Sequence, residues 1–277
     1  MILSFSLRPG WGLYPLFGIA EPIGALVTGL KQPSAVLFDL FDTLILIKSG
    51  EDFNEKCLLN VYKFLRVNGI EVSYEDFRHT YSDVRRHLYE RINVTLEEPH
   101  FSVRISETLK RLGYDFDALS PIARGAAEAY SEEFVHHVYL DNDALPVLQS
   151  LREDGYKTGI ISNFAIPECA HNLLGVYGLR DLLDVVVVSA EVNRRKPSPE
   201  IFAFALNSLG IGASHSFFVG DTPDVDIRGA KKVGMKTVLI ERRSVETDNP
   251  DDKPDFIIRR LIELPAILWN YKLKGNF

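Results

Sequence analysis

From Ala35 onward the chain alternates two apolar rhythms. The first is the short continuous run: Ala35-Val36-Leu37-Phe38, Leu44 to Ile47, Lys157 to Ile161, Val185 to Val188, Phe217 to Val219 and Thr237 to Ile240. Runs of this length without a polar face predict strands buried on both sides of a parallel sheet. Phe256 to Ile258 extends the series as a last short strand. The second rhythm has helical spacing. It covers Ala144 to Asp154, stopped by Gly155, then Pro167 to Leu174 and Pro199 to Leu209, stopped by Gly210. Val225 to Val233 and the stretch including Leu261 to Leu268 follow the same spacing. Strands separated by single helices require right-handed crossovers, which build a parallel sheet.

Between the second run and the third, strand character disappears. Phe53, Cys57, Leu58, Val61 and Leu65 recur at helical spacing, as do Phe77, Tyr81, Val84 and Leu88. Arg104 to Leu112 and Ile122 to Val138 continue the pattern, so residues 51–136 are expected to form an insert of four or more helices. The predicted fold class is α/β, a Rossmann-like parallel-sheet core made by residues 34–50 and 137–277, interrupted by that insert.

Residues 1–33 stand apart. Up to residue 30 they hold only Arg8 and Glu21 as charges, and Arg8-Pro9-Gly10 and Pro15 interrupt the apolar stretch. That interruption does not suit a signal peptide, and the stretch falls short of the ~18 apolar residues of a spanning helix. A poorly ordered extension with no stable membrane association is the expectation; a mis-assigned start codon is the alternative.

Length and composition narrow the class further. The chain has 277 residues, 46% of them hydrophobic, enough for one large domain or a core with a smaller partner. A net charge of -7 argues against nucleic-acid binding but not against a phosphorylated small molecule held at a local positive site. Cys57 and Cys169 are far apart and fit no metal-ligand spacing, so a reducing cytoplasm is expected. Oligomeric state has no signature in the chain.

Three of the apolar runs end at reactive polar residues, and one lysine-bearing segment joins them. Asp39 follows the first; an aspartate there caps a helix or turn, or attacks phosphorus as a nucleophile. Ser162-Asn163 ends Gly159-Ile160-Ile161, as a helix cap or as a phosphate cradle. Lys196 sits in Arg194-Arg195-Lys196-Pro197-Ser198-Pro199, either solvated or placed to neutralise anionic groups. Phe218-Val219-Gly220-Asp221-Thr222-Pro223-Asp224-Val225-Asp226 carries carboxylates that suit a helix N-terminus or a Mg²⁺ site.

These four motifs, in this order across about residues 34–260, resemble those of the haloacid dehalogenase superfamily of aspartate-nucleophile enzymes. The resemblance implies that Asp39 is the nucleophile and, with the Phe41 carbonyl, Asp221 and Asp226, a magnesium ligand. Thr43 and Leu44 match the fifth and sixth positions of the family's first motif. Ser162 matches the second motif, Lys196 the third, and Gly220 with Asp221 and Asp226 the fourth. Thr43, Ser162, Asn163 and Lys196 are then expected on the substrate, a small phosphorylated metabolite. Asp224 is a candidate outer-sphere helper, and the helical insert is expected to act as a cap. Arg85, Arg86, His87 and Arg91 share one cap helix, as a solvated face or as substrate contacts. Arg194 and Arg195 are expected to face solvent, with substrate contact as the alternative.

One position departs from the family pattern. Phe41 stands where phosphatases carry a second catalytic aspartate, whose acid–base help is typically worth ~10²–10⁴-fold. Asp42, the next residue, either replaces that acid or solvates the loop. By resemblance, members that cleave carbon–halogen bonds also lack this acid, but they need no metal and have a Ser- and Asn-rich fourth motif. The intact Gly-Asp motif here therefore favours phosphate chemistry. A catalytically weak phosphate-binding protein is a third reading.

Overall fold

A computed structural model describes residues 35–48, 52–243 and 249–273. The expected extension, residues 1–33, lies outside them. The elements run β1 (Ala35–Phe38), β2 (Ile45–Ile47), α1 (Phe53–Val67), α2 (Tyr74–Thr95), α3 (Phe101–Arg111), α4 (Pro121–Phe134) and β3 (Val138–Leu140). Next come α5 (Ala144–Glu153), β4 (Lys157–Ser162), α6 (Pro167–Val176), β5 (Val185–Val188), α7 (Ser189–Val192) and α8 (Pro199–Leu209). The chain closes with β6 (Ser216–Gly220), α9 (Arg228–Lys232), β7 (Lys236–Ile240), β8 (Phe256–Ile258) and α10 (Leu264–Leu273).

Six strands form a parallel sheet in the order β5-β4-β1-β6-β7-β8. Alternate residues of each strand face opposite sides, and both sides are covered. Val36, Phe38, Ile160 and Val219 join the core under α5, α6 and α10, through Leu148, Cys169 and Leu268. Ala35, Leu37, Ile161 and Phe218 join a second core under α8 and α9, through Phe202 and Ala230. This two-sided burial explains why the strands read as unbroken apolar runs.

Helices α1 to α4 interrupt the core between β2 and β3, and their apolar faces join the first core through Val61, Phe77 and Ile105. Local sequence starts them cleanly: Asp52, Ser73 and Ser120 each accept a backbone N–H of the first turn of α1, α2 and α4. The structure thus has the α/β core and the helical insert expected of it.

Three local expectations need correction. Helix α4 stops at Phe134, not at Val138; a 3₁₀ turn follows, and Val138–Leu140 becomes β3, antiparallel to β2. Helix α3 begins at Phe101 rather than Arg104. The expected helix at 225–233 is a π turn, Pro223–Ile227, running into α9. Such wide turns recur at functional sites, and this one carries Asp226.

Candidate active site

Strand order places the site. β1 has β4 on one side and β6 on the other, so three carboxyl ends meet at the point where the winding reverses, the usual ligand crevice of an open α/β sheet. Asp39 follows β1, its N–H donating to the Val219 carbonyl at 2.9 Å. Asp221 follows β6, and Asp226 returns from the π turn. Carboxylate oxygens of Asp39, Asp221 and Asp226 lie within 4.8 Å of one another. Lys196, in the loop between α7 and α8, reaches between them: its Nζ lies 2.6 Å from Asp39 Oδ1 and 2.7 Å from Asp226 Oδ1. The resemblance expected these four side chains together, and they are together.

Close packing sets Asp226. Its Oδ2 accepts the Thr222 N–H at 3.0 Å, and its own N–H donates to the Thr222 carbonyl at 2.7 Å. Its carboxylate crosses the face of Gly220, where a Cβ would fall 2.5 Å from Asp226 Cγ. The glycine of the fourth motif is therefore required by space.

The charges are not balanced by the protein alone. Three carboxylates and one ammonium, all nearly buried, sum to −2, and the exposed Arg243 guanidinium, 3.8 Å from Asp221 Oδ2, offsets only part of that charge. Burial pushes the Asp39 carboxyl up to about 7, with Lys196 opposing and Asp226 and Asp221 adding to the rise. Burial, then Asp226 and Asp42, push Asp221 up to about 6. Burial would lower the Lys196 ammonium, but Asp226 and Asp39 outweigh it and its pKa is raised. An all-oxygen donor set with a residual negative charge fits a hard divalent cation such as Mg²⁺.

Ser162 ends β4 fully buried, and no group hydrogen-bonds its hydroxyl among the described residues. An unpartnered hydroxyl lining the Asp39 cavity is free to donate to a bound oxyanion. Thr43 is also buried with an unpartnered hydroxyl, but it does not line that cavity. Asn163 lines the cavity with its amide already engaged: Oδ1 accepts the Lys196 N–H at 2.7 Å and Nδ2 donates to the Lys196 carbonyl at 2.9 Å. It clamps the lysine backbone, a role that its place in the sequence did not suggest.

Phe41 lines the cavity and brings no carboxylate to it; its ring packs on Phe164 and Phe134 at centroid distances of 4.8 and 5.5 Å. Asp42 does not take the acid's place here. It adopts a left-handed backbone (φ 56°), its Oδ1 accepts the Ile47 N–H at 3.1 Å, and it is absent from the cavity wall. Asp224 is exposed and also outside the wall, so the structure gives it no helper position. Arg242 went unnoticed in the sequence. Its guanidinium donates to the Asp42 and Thr43 carbonyls at 3.0 and 2.7 Å and pairs with Asp141 at 2.7 Å, tying down the loop after Asp39. No spacing rule links residues this far apart.

The Asp39 cavity, about 190 Å³, is lined by Phe41, Ser162, Asn163, Lys196 and Arg195 among others. A second cavity of about 290 Å³ opens beneath α2, α3 and α4 and shares Asn163 and Arg195 with the first. Arg195 was expected in solvent; instead it lines both cavities and pairs with buried Glu98 at 3.2 Å. Of the four cap-helix residues singled out, Arg85 lines the second cavity, whereas Arg86, His87 and Arg91 are exposed and lie outside both walls. The cap is stitched to the core by main-chain bonds, Arg195 N–H to the Leu96 carbonyl at 2.9 Å and Phe101 N–H to the Ala165 carbonyl at 2.8 Å.

Comparison with known proteins agrees with this geometry. The family model of haloacid dehalogenase-like hydrolases matches residues 33–234. Glyceraldehyde 3-phosphate phosphatase of Methanopyrus kandleri is 30% identical over 239 residues, 83% of this chain and 94% of that protein. Human N-acylneuraminate-9-phosphatase is 25% identical over 252 residues, 89% and 98% of the two chains. Among solved structures, a HAD phosphatase from Thermococcus onnurineus matches with TM-score 0.57 and 29% identity, covering 85% of this chain and 97% of that one. A 2-haloacid dehalogenase from Pseudomonas syringae shares the fold, with TM-score 0.65 and 24% identity over 86% of this chain and 99% of that one. No helix among the described residues is long and apolar enough to cross a membrane.

Proposed function

The chain belongs to the haloacid dehalogenase-like hydrolase family, and from that premise we propose that it is a magnesium-dependent phosphatase acting on a small phosphorylated metabolite through Asp39. The observation that carries this reading is the meeting of Asp39, Asp221 and Asp226 within 4.8 Å, with Lys196 bridging two of them. Asp39, Asp221, Asp226 and the Phe41 carbonyl would hold Mg²⁺, which supplies charge neutralisation on the phosphoryl oxygens when bound.

The remaining chemistry belongs to the chain. An Asp39 oxygen attacks phosphorus in line with the leaving oxygen, which departs with the bonding electron pair. The Lys196 ammonium favours the ionised form of Asp39 against the burial that disfavours it, and offsets charge on the equatorial oxygens. The Ser162 hydroxyl donates to one of those oxygens, and Asn163 fixes Lys196 in place. Water then attacks phosphorus, freeing Asp39 and inorganic phosphate. Phe41 has no proton to give the leaving oxygen, so aryl and acyl phosphates, whose leaving groups are stable anions, react faster than alkyl phosphates.

The test is hydrolysis of a chromogenic aryl phosphate with Mg²⁺, with EDTA, and by Asp39→Asn. Activity with Mg²⁺ alone supports the reading; equal rates in all three end it. One observation favours a second reading, cleavage of a carbon–halogen bond by the same Asp39: residue 41, which lines the cavity, is a phenylalanine and not an acid. The uncompensated charge of the three carboxylates weighs against it. Metal-independent halide release from a 2-haloacid would establish it.

A further inference from the structure

The second cavity is lined by a cationic cluster, with Arg104 buried at its centre, that the phosphoryl chemistry does not use. Arg104 on α3 is 8% exposed, yet its Nε has no hydrogen-bond partner among the described residues. Its guanidinium is held by neutral phenols instead: Nη1 donates to the Tyr81 hydroxyl at 3.0 Å, and the Tyr89 hydroxyl is a second partner. Around the Tyr89 ring stand three guanidinium groups, those of Arg85, Arg104 and Arg195, at 5.2, 5.4 and 5.8 Å from its centroid. Like charges gathered on one ring repel unless an anion joins them, and a buried guanidinium needs a hydrogen-bonding anion.

Glu98 answers only part of that need. It is buried, pairs with Arg195, and also feels Arg104. Arg104 and Arg195 carry +2 and Glu98 carries −1, which leaves +1 before Arg85 is counted. The rim adds Arg85, Asp52 and Glu55, which sum to −1 but are all exposed and screened by water, so the +1 of the inner groups is the charge a buried ligand meets. Asp52 caps α1, and Glu55 accepts the Tyr74 hydroxyl at 2.6 Å. The unanswered charge faces a chamber of about 290 Å³ that shares Asn163 and Arg195 with the nucleophile's cavity.

We infer that this chamber binds a carboxylate on the organic part of the substrate, with Arg104 as the main donor and Arg195 and Arg85 beside it, so that the substrate is a phosphorylated carboxylic acid. The inference rests on the proposed phosphatase reading of the Asp39 cavity and deepens it. A monovalent, planar carboxylate matches both the residual +1 and the guanidinium fork; a second phosphate would exceed the charge available.

The test uses two non-hydrolysable phosphonates of similar size, 3-phosphonopropanoate and propylphosphonate, titrated calorimetrically into the protein with Mg²⁺. The carboxylate-bearing ligand is expected to bind about 10- to 100-fold tighter, the worth of charge-assisted hydrogen bonds. Arg104→Gln should erase most of that ratio. Arg85→Gln, an exposed change that leaves the fold intact, should lower it several-fold even if the Arg104 variant does not fold. Equal affinity of the two ligands for the wild-type protein overturns the carboxylate subsite and leaves the phosphatase reading standing. Binding of neither ligand overturns the phosphoryl site itself, and the subsite with it. A ratio unchanged in Arg85→Gln and in a folded Arg104→Gln overturns the assignment of these residues.

Discussion

Gly220→Ala tests the packing logic of the site with a single methyl group. In a strand, alanine is ordinarily better than glycine by roughly 0.5–1 kcal/mol because the unfolded chain has less freedom to lose. Here the sign reverses. The added Cβ would lie 2.5 Å from Cγ and Oδ2 of Asp226 and 2.6 Å from its Cβ. Carbon contacts settle near ~3.5–4.0 Å, so Asp226 must retreat by about 1 Å. Its Oδ2 accepts the Thr222 N–H at 3.0 Å and its Oδ1 sits 2.7 Å from Lys196 Nζ. A retreat of about 1 Å breaks the first and stretches the second. Overpacking costs about 1–3 kcal/mol and a lost charged hydrogen bond about 1.5–3 kcal/mol. After the ordinary gain from alanine, the net destabilisation is about 2–5 kcal/mol, a fall in Tm of about 5–15 °C for a domain of this size. Because Asp226 is a proposed ligand, Mg²⁺ affinity should also fall by about 10- to 100-fold. Scanning calorimetry and a Mg²⁺ titration of aryl phosphate hydrolysis read both effects. A variant with wild-type Tm and wild-type Mg²⁺ dependence refutes the argument.

Phe41→Asp restores a proton donor at the cavity wall, and should raise the alkyl-to-aryl phosphate rate ratio by up to ~10²-fold or more. It also loses the ring contacts with Phe134 and Phe164 and lowers stability; an unchanged rate ratio sinks the leaving-group reasoning. Asn163→Ala removes two hydrogen bonds to the Lys196 backbone, each worth about 1 kcal/mol, and should lower kcat about 10- to 30-fold while KM changes little. A change confined to KM would mean that Asn163 touches substrate instead. Magnesium should stabilise the protein more at pH 8 than at pH 5. The folded pKa values of Asp39 and Asp221 are raised from 3.8 to about 7 and about 6. Their contribution to stability is therefore full below the unfolded value and lost as pH rises through about 6 to 7. Mg²⁺ reverses that loss by neutralising the ionised pair, and a Mg²⁺-induced rise in Tm that is equal at both pH values contradicts the account.

The parts legible in the sequence are those whose physics is local. Ala35 to Phe38 and Val185 to Val188 read as strands because both faces of the sheet are covered, and Gly155 and Gly210 stop their helices by adopting positive φ. Val138–Leu140 was hidden because Phe134 and Val138 are both buried four residues apart, as on a helix face. Its true partner, β2, lies across the whole cap in sequence. Arg195 looked solvated for the same reason: Glu98 and Tyr89, its neighbours in space, belong to the cap. Asn163 and Arg242 act through main-chain carbonyls and amides, which any residue supplies, so no side-chain motif announces them. Phe41 shows the converse. Its identity signalled a missing acid at once, but only the placement of Phe134 and Phe164 reveals what the ring does instead.

The bond from the Arg195 amide to the Leu96 carbonyl has a consequence for motion. It joins the end of a cap helix to the residue immediately before Lys196. A swing of that helix must either snap this link or drag the lysine's own segment along, tugging against the Asn163 clamp. On the proposed reading, opening the roof would also pull on the segment that holds the ammonium, so Asp39 would keep its Lys196 partner in place only with the roof down.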